Sequence, residues 1–480
     1  MKKDITPSTL VMKFGGTSVG TSKAIEQVTE NIRKTRQKWD RIVIVTSAVG
    51  GVTNLLVESA ERAIIGDEVF ISQAERELID KHLDMVEKLI PNAAQRAQLK
   101  QEIKYLATEF ASICRAISIL GEATPRAMDA VISLGERFSV RLLAGALQAA
   151  GFPAQFVEAT HLVETDDVFQ SAYPNLEKTA EKVQSILIPM LMQKQIPVIT
   201  GFIGATKNGI TTTLGRGGGD YSAAIIGATI PADEVWIWTD VSGVMTADPR
   251  IVPDAQTIPE VSYREMAELS YFGAKVLHPK AVRPVVEAGI PLRICNTFKP
   301  EEKGSFVVKE KNPSEPQNID SQRVIKAVTA IPHQRMITVE GRGMLGVPGV
   351  AARTFGAVAA TGTSVPLITQ ASSVQSISFS VPSDSADAVL ESLHEVFSTE
   401  LAQRDIDRLW ASDEMAIITA VGAGLQCTPG VAGQIFSALG AAKVNIIAIA
   451  QGSSKVAISL IVKAEESNKA VQTLHQFIAS

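Results

Sequence analysis

The residues able to do chemistry gather around glycines. TTTLGRGGGDYSAA, Thr211 to Ala224, sets three glycines behind an arginine, just before a helix-like run. Exposed backbone N–H groups and a helix N-terminus both attract phosphate, so the stretch reads as an anion cradle. Asp220 stands at its lip, where a second negative charge needs something to offset it. KFGGTSVG, Lys13 to Gly20, ends a strand-like run with a lysine and two glycines. There the backbone can approach a phosphate while the ammonium neutralises a transferring group. Read alone, KFGG is equally well a turn with a solvated lysine. SAVGGVTN, Ser47 to Asn54, and WTDVSGVMTADPR, Trp238 to Arg250, add two more loops at strand ends, the second with Thr239 and Asp240 at the end and Asp248 and Arg250 beyond it. Four such loops would meet in one crevice only if the carboxyl ends of neighbouring parallel strands converge. No G-x-x-x-x-G-K-[ST] sequence occurs, so nucleotide binding here cannot rest on a Walker loop.

The elements that would position these loops are legible. LVMKF, RIVIVTS, FPAQFV, IPVITGFIG, TTTL and VWIWTD are short apolar runs separated by helical stretches such as SLGERFSVRLLAGALQAAG. That alternation predicts a mostly parallel sheet covered on both faces. The charged, long-period stretch from Ile71 to Gly121 reads as surface helices.

The 480 residues, 45% apolar and 20% charged, are those of a globular chain of several domains. A formal charge of -5 without a Lys/Arg-rich block gives no footprint for nucleic acid. No apolar run approaches the ~20 residues of a membrane helix and MKKDITPSTLVMKF lacks a signal-peptide core, so no membrane partner and a cytoplasmic location are expected. Cys114, Cys295 and Cys427 are far apart, as are the six histidines, which predicts structural thiols and no metal site.

Composition shifts to Pro, Lys, Glu and Ser between Pro300 and Gln322, marking a boundary. Beyond it lies an internal repeat. The stretch from Val347 aligns without gaps to that from Thr428, matching Pro348 with Pro429, Val350 with Val431, Phe355 with Phe436 and Gln370 with Gln451. Each copy reads turn, helix, strand, loop, strand, a duplicated supersecondary unit. GRGMLG, with Gly341, Gly343 and Gly346, fits the G-x-G-x-x-G dinucleotide pattern, but no Asp or Glu occurs from Val347 to Ser383 to hold a ribose, so it is not read as a dinucleotide site.

KFGGTSV, SAVGGVTNLL, SLGERFS, ITGFIG, TTTLGRGGGDYSAA, WTDVSGVMTADPR and ELSYFGAKVLHP, with the two repeats, resemble the aspartate kinases of the amino-acid kinase superfamily across essentially the whole chain. The pattern is most similar to the aspartokinase half of bifunctional aspartokinase/homoserine dehydrogenases. The resemblance implies an α/β fold: a three-layer αβα kinase domain over residues 1–305, with a mostly parallel sheet. It implies a regulatory region over 320–480, with two α+β ACT units of βαββαβ type near 335–400 and 412–480, able to interleave. The activity implied is ATP-dependent phosphorylation of the β-carboxylate of L-aspartate to 4-phospho-L-aspartate, the first step toward lysine, threonine and methionine. Magnesium would be held mainly through the phosphates.

Residue by residue, the resemblance makes Lys13 and Asp220 catalytic. Ser47, Thr53, Glu136, Phe202, Arg216 and Gly219 would meet the substrate, Glu136 taking its ammonium and Arg216 a carboxylate. Lys13, Gly15, Gly16, Thr239, Asp240, Met245, Arg250 and Lys275 would bind ATP. Gly349, Val350, Ala351, Ser364, Val365, Gln370 and Gln451 would take an amino-acid effector, threonine before lysine, and ACT units imply a homodimer or larger assembly. Two positions depart from the pattern: Gly219 replaces a serine and Met245 a tyrosine. The aspartate β-carboxyl has a reference pKa near 3.9 and is ionised at pH 7, so the reaction needs no general base. Asp220 is therefore expected to hold Lys13 in place, the other reading being a helix N-cap.

Overall fold

A computed structural model describes residues 7–273, 277–309, 324–342, 348–370, 376–423, 425, 428–451 and 456–479. The chain divides into two compact units. The first comprises Met1–Val244, Thr257–Tyr263 and Val276–Glu310, and the second Met245–Gln256, Arg264–Lys275 and Lys311–Ser480.

The strands of the first unit are β1 (Thr9–Phe14), β2 (Arg41–Thr46), β3 (Ala154–Val157), β4 (Glu164–Thr165), β5 (Ile196–Thr200), β6 (Ile203–Thr206), β7 (Thr211–Thr213), β8 (Glu234–Thr239), β9 (Glu260–Ser262), β10 (Leu292–Asn296) and β11 (Ser305–Val308). The helices are α1 (Ser22–Arg36), α2 (Val52–Ile64), α3 (Glu68–Leu89), α4 (Ala93–Leu120), α5 (Pro125–Ala149), α6 (Leu176–Met192), α7 (Gly218–Thr229), α8 (Tyr263–Tyr271) and α9 (Pro279–Ala288), of which α8 lies in the second unit from Arg264 on.

Eight strands form one sheet in the order β3-β5-β2-β1-β8-β10-β11-β9, and the first six run parallel. Every residue of TLVMKF in β1 is buried, as a strand covered on both faces requires. Helix starts follow local chemistry. Thr21, Asp67, Asn92 and Thr124 each accept a backbone N–H three residues on, opening α1, α3, α4 and α5, and Pro125 opens α5 where its missing N–H is harmless. The charged stretch after Ile71 forms α3 and α4, but their buried faces, with Leu78, Val86, Ile103 and Phe110, join the core around α5. Cys114 and Cys295 are free and buried, and burial pushes both thiols up to about 12; Cys427 lies outside the described residues.

One difference from the sequence reading matters for the site. IPVITGFIG is two strands, and TTTL does not join the main sheet. Phe202 turns the chain at φ +66°, so β6 leaves the sheet and pairs antiparallel with β7 in a separate three-stranded sheet with β4. Gly201 beside the corner is a local sign of a break, but nothing in the run marks Phe202 as the residue that turns.

The second unit contains β12 (Ala327–Glu340), α10 (Val350–Ala360), β13 (Ile368–Gln370), β14 (Ser376–Pro382), α11 (Ala386–Val396), α12 (Ser398–Gln403), β15 (Arg408–Val421), α13 (Val431–Ala441), β16 (Ala448–Ala450), β17 (Ala457–Lys463) and α14 (Ser467–Ala479). They build a six-stranded antiparallel sheet in the order β13-β14-β12-β15-β17-β16. Its two long strands are shared. The second half of β12 pairs with β14 while the second half of β15 pairs with β17, and register shifts near Ile331 and Arg335 mark the handover. Each half-sheet has its own core, one around Ile337, Phe379 and Leu393, the other around Ile418, Leu460 and Leu474. Gly341 of the dinucleotide-like pattern packs against the backbone of Asp405 and Ile406; Gly343 and Gly346 lie outside the described residues. Among the described residues no helix is long and apolar enough to cross a membrane.

Candidate active site

The carboxyl ends of the central strands are laced together beyond the sheet. Gly201 N–H donates to Thr46 O at 2.8 Å, Ser47 N–H to Phe14 O at 3.1 Å, Gly15 N–H to Trp238 O at 3.1 Å, and Thr297 N–H to Thr239 O at 2.8 Å. The loops after β5, β2, β1, β8 and β10 are thereby ordered side by side, and glycines let their backbones approach each other.

They enclose a cavity of about 370 Å³ lined by Lys13, Gly16, Ser47, Thr53, Glu136, Phe202, Gly219 and Asp220, among others. Lys13 projects from β1, and its Nζ lies 2.7 Å from Asp220 Oδ1, an ion pair without hydrogen-bond alignment. Asp220 is in the first turn of α7, whose cap is Gly217 with no side-chain bond, so Asp220 faces the lysine and does not cap the helix. Gly217 has φ +75°, and a Cβ there would stand 2.5 Å from the Cβ of His278, so only glycine lets this turn pass. Burial, then Lys280 and Arg216, depress the His278 imidazole, keeping that neighbour neutral.

Glu136 comes from α5 and is 4% exposed. Its Oε1 accepts Ala48 N–H at 3.2 Å, while Oε2 is buried with no hydrogen-bond partner. Burial pushes this carboxyl up to about 8, against the smaller opposing pull of the Ala48 N–H and Lys13. A buried carboxyl oxygen without a partner is costly unless a donor reaches it, and Glu136 is one of the residues that line the cavity.

At Gly219 an added Cβ would meet Ser47 Oγ at 3.0 Å and Lys13 Cε at 3.2 Å. The Ser47 hydroxyl therefore occupies the space beside this glycine. Phe202 is held in its turn by its N–H donating to Ser222 Oγ at 2.8 Å.

Other sequence-derived positions lie elsewhere. Gly15 flanks the Lys13 Nζ, and a Cβ there would sit 3.6 Å from it. Arg216 is exposed, one residue before the stretch Gly217 to Asp220 that lines the cavity. Thr239 ends β8 and Asp240 follows it, the two joined by a 3.2 Å hydrogen bond from the Thr239 hydroxyl. The motif Trp238 to Arg250 then divides, because Met245 and Arg250 belong to the second unit, where Arg250 pairs with Asp248 at 2.6 Å. In that unit Ala247 and Val252 are in the core and Thr246 Oγ1 is 2.9 Å from His475 Nε2 of α14. Lys275 lies outside the described residues. Gly349 caps α10 with φ +91°, ahead of Val350 and Ala351; Ser364 and Val365 follow that helix, and Gln370 at the end of β13 and Gln451 just past β16 stand exposed.

Several residues that organise the loops escaped the sequence reading. Lys81 of α3 donates to Gly50 O at 2.6 Å, the Ser18 and Thr297 hydroxyls share a 2.7 Å bond, and Asn296 donates to Ser242 Oγ at 3.1 Å. Asn296 carried a signal of the same kind as Thr239, a polar residue closing an apolar strand. Among the described residues no three His, Cys, Asp or Glu side chains converge on a metal position.

The sequence profile of the Amino acid kinase family matches residues 8–296, and that of the ACT domain matches 337–397 and 418–477. The chain belongs to the amino acid kinase family. It is 35% identical over 476 residues to bifunctional aspartokinase/homoserine dehydrogenase 1, chloroplastic, of Zea mays, covering 97% of this chain and 50% of that protein. It is 33% identical over 470 residues to the bifunctional enzyme of Haemophilus influenzae, covering 97% of this chain and 56% of that one. This amino acid kinase thus spans about half the length of the bifunctional relatives it matches. Among solved structures it superposes on E. coli aspartokinase III in complex with aspartate and ADP with a TM-score of 0.81 at 29% identity, covering 98% of this chain and all of that one. The α/β fold with a largely parallel sheet and ACT units is therefore that of the aspartokinases.

Proposed function

We propose that this amino acid kinase transfers the γ-phosphoryl group of ATP to the β-carboxylate of L-aspartate, giving 4-phospho-L-aspartate. The observation that carries the reading is the buried, unpartnered Oε2 of Glu136 on a cavity that also holds Lys13. A free α-ammonium satisfies that oxygen, whereas an N-acylated amino acid brings none, which disfavours acetylglutamate. Lys13 offsets charge on the transferring phosphoryl and Asp220 keeps it aimed, while Ser47, Thr53, Phe202 and the Gly219 backbone shape the substrate end. Arg216 clamps a substrate carboxylate, a task suited to its forked guanidinium. Because the nucleophile is already ionised, positioning and charge neutralisation do the work, and no residue need act as a base. Gly15, Gly16, Thr239 and Asp240 serve ATP, and magnesium arrives with the phosphates.

An end-product amino acid bound at the ACT repeats lowers activity. Threonine is favoured, because its hydroxyl needs only donors and acceptors such as the Gln370 and Gln451 amides, and lysine comes next. A second ammonium would call for a buried carboxylate, and no acid occurs from Val347 to Ser383. Lysine is nevertheless the ligand in a complex of E. coli aspartokinase III, which is 29% identical. Exposed Ile368 on β13 and Ile449 on β16, 50% and 46% accessible, support assembly of two or more copies through the repeats.

The test is ADP release with aspartate, glutamate and acetylglutamate, each with and without threonine or lysine. Release with aspartate above the other two supports the reading; equal rates without any amino acid contradict it.

A further inference from the structure

Helix α5 carries a second buried carboxylate that the proposed chemistry does not use. Asp129 lies seven residues before Glu136, two helical turns away and on the same face. It is 0% exposed, and unlike Glu136 it is saturated with donors. Gln170 N–H reaches both oxygens at 3.1 and 3.0 Å, Thr213 N–H reaches Oδ2 at 2.9 Å, and the Thr213 hydroxyl reaches Oδ1 at 2.7 Å.

Both partners lead to the same loop. Thr213 ends β7, and two residues later the chain enters Gly215, Arg216 and Gly217. Gln170 is held at φ +67°, an uncommon conformation for a side chain of its kind. Its carbonyl lies 3.0 Å from where a Cβ of Gly215 would stand, so the turn at Gln170 is the wall against which the Arg216 loop packs. Thr213 O in turn accepts Ala172 N–H at 2.9 Å, closing the ring. Burial raises the Asp129 carboxyl while the four donated hydrogen bonds oppose it.

We propose that Asp129 is a positioning and specificity-determining residue: by tying the end of β7 and the Gln170 turn to α5, it fixes how far Arg216 stands from Glu136. This rests on the reading of Glu136 and Arg216 as receiving opposite ends of the amino-acid substrate. One rigid helix then carries both ends of a ruler, Glu136 directly and Arg216 through Asp129. The length between them selects a four-carbon acidic amino acid over a five-carbon one, since a clamp misplaced by a methylene loses its fit.

The test compares the parent with Asp129→Asn and Thr213→Val. Asparagine presents its NH2 to at least one of the donors, and valine removes only the hydroxyl donor. For Asp129→Asn the KM for aspartate rises about thirtyfold, the preference for aspartate over glutamate falls about tenfold, and the KM for ATP stays within about twofold, as loss of charged hydrogen bonds implies. Thr213→Val moves the same two quantities by about threefold and stands in if the asparagine variant does not fold. A purely structural Asp129 would move both KM values together with selectivity unchanged, and that result, or no change in either variant, overturns the proposal. Should the parent phosphorylate neither amino acid, the reading of the site fails separately. Amide hydrogen exchange from Thr211 to Gly219 then decides, with exchange about tenfold faster in the variants expected and unchanged exchange contradicting the tether.

Discussion

The cavity of the first unit and the repeats of the second arrange polar groups in opposite ways. In the first, polar groups are buried and left partly unmatched: Lys13 faces Asp220 at 11% and 14% side-chain exposure, and one oxygen of Glu136 has no partner. In the second, the sequence-derived effector positions are exposed or half-buried, with Gln370 at the end of β13 and Gln451 just past β16 both exposed. A buried unmatched polar group is costly in the empty protein and is relieved by the right ligand, so it makes for steep discrimination. Exposed amides discriminate weakly one at a time and suit a reversible signal whose coupling amounts to about 1–3 kcal/mol.

The contrast can be broken at the cavity first. Lys13→Met should lower kcat by about a thousandfold or more, because nothing else described in the cavity offsets the transferring charge. Asp220→Asn should lower it by roughly a hundredfold while the pH profile between 6 and 8 keeps its slope. An asparagine variant whose rate recovers at high pH would show that Asp220 acts in proton transfer, and the ion-pair account would fall.

Glu136→Gln should raise the KM for aspartate roughly a hundredfold, the usual consequence of removing one member of a buried charge pair. The same variant should gain stability with pH. The folded carboxyl sits at about 8 against an ordinary 4.5, so folding favours its protonated form. That contribution is complete below 4.5 and is lost as pH climbs to 8. The melting temperature of Glu136→Gln relative to the parent should therefore climb from pH 5 to 8 and level off above. A constant difference would mean that Glu136 is already ionised in the empty cavity.

Smaller effects sharpen the boundary of the site. Gly219→Ser should cost about tenfold in kcat, because its Cβ presses on Ser47 Oγ and Lys13 Cε in space only a few tenths of an ångström too tight. A variant that gains rate would show that the missing hydroxyl mattered more than the crowding. In the repeats, Gln370→Ala and Gln451→Ala should each raise the half-inhibitory threonine concentration about fivefold, the worth of one exposed hydrogen bond. Unaltered inhibition in both would place the effector elsewhere.

What the sequence disclosed tracks how local each signal is. Lys13 could be read because a strand-like run and its glycine turn adjoin it, and the repeat because its copies align residue for residue. Asp129 could not, since its partners Gln170 and Thr213 lie 41 and 84 residues away and a lone acid in a helix has no pattern. Its position two turns before Glu136 was the only local hint. The corner at Phe202 was only hinted at by Gly201 beside it, since a non-glycine residue makes the turn. The sharing of β12 and β15 was beyond reach for another reason: each strand reads as one uninterrupted segment, and only pairing reveals that its halves serve different cores.

The central claim is that the unpartnered oxygen of Glu136 waits for the ammonium of the amino-acid substrate. With the carboxyl at about 8, the empty cavity at pH 7 holds a mostly neutral Glu136, and an arriving ammonium must drive its proton off. Calorimetry of aspartate binding in buffers of different ionisation enthalpy reads that proton directly. The account predicts release of nearly one proton at pH 7, declining as pH rises through about 8. Binding of aspartate at pH 7 with no proton released would contradict it.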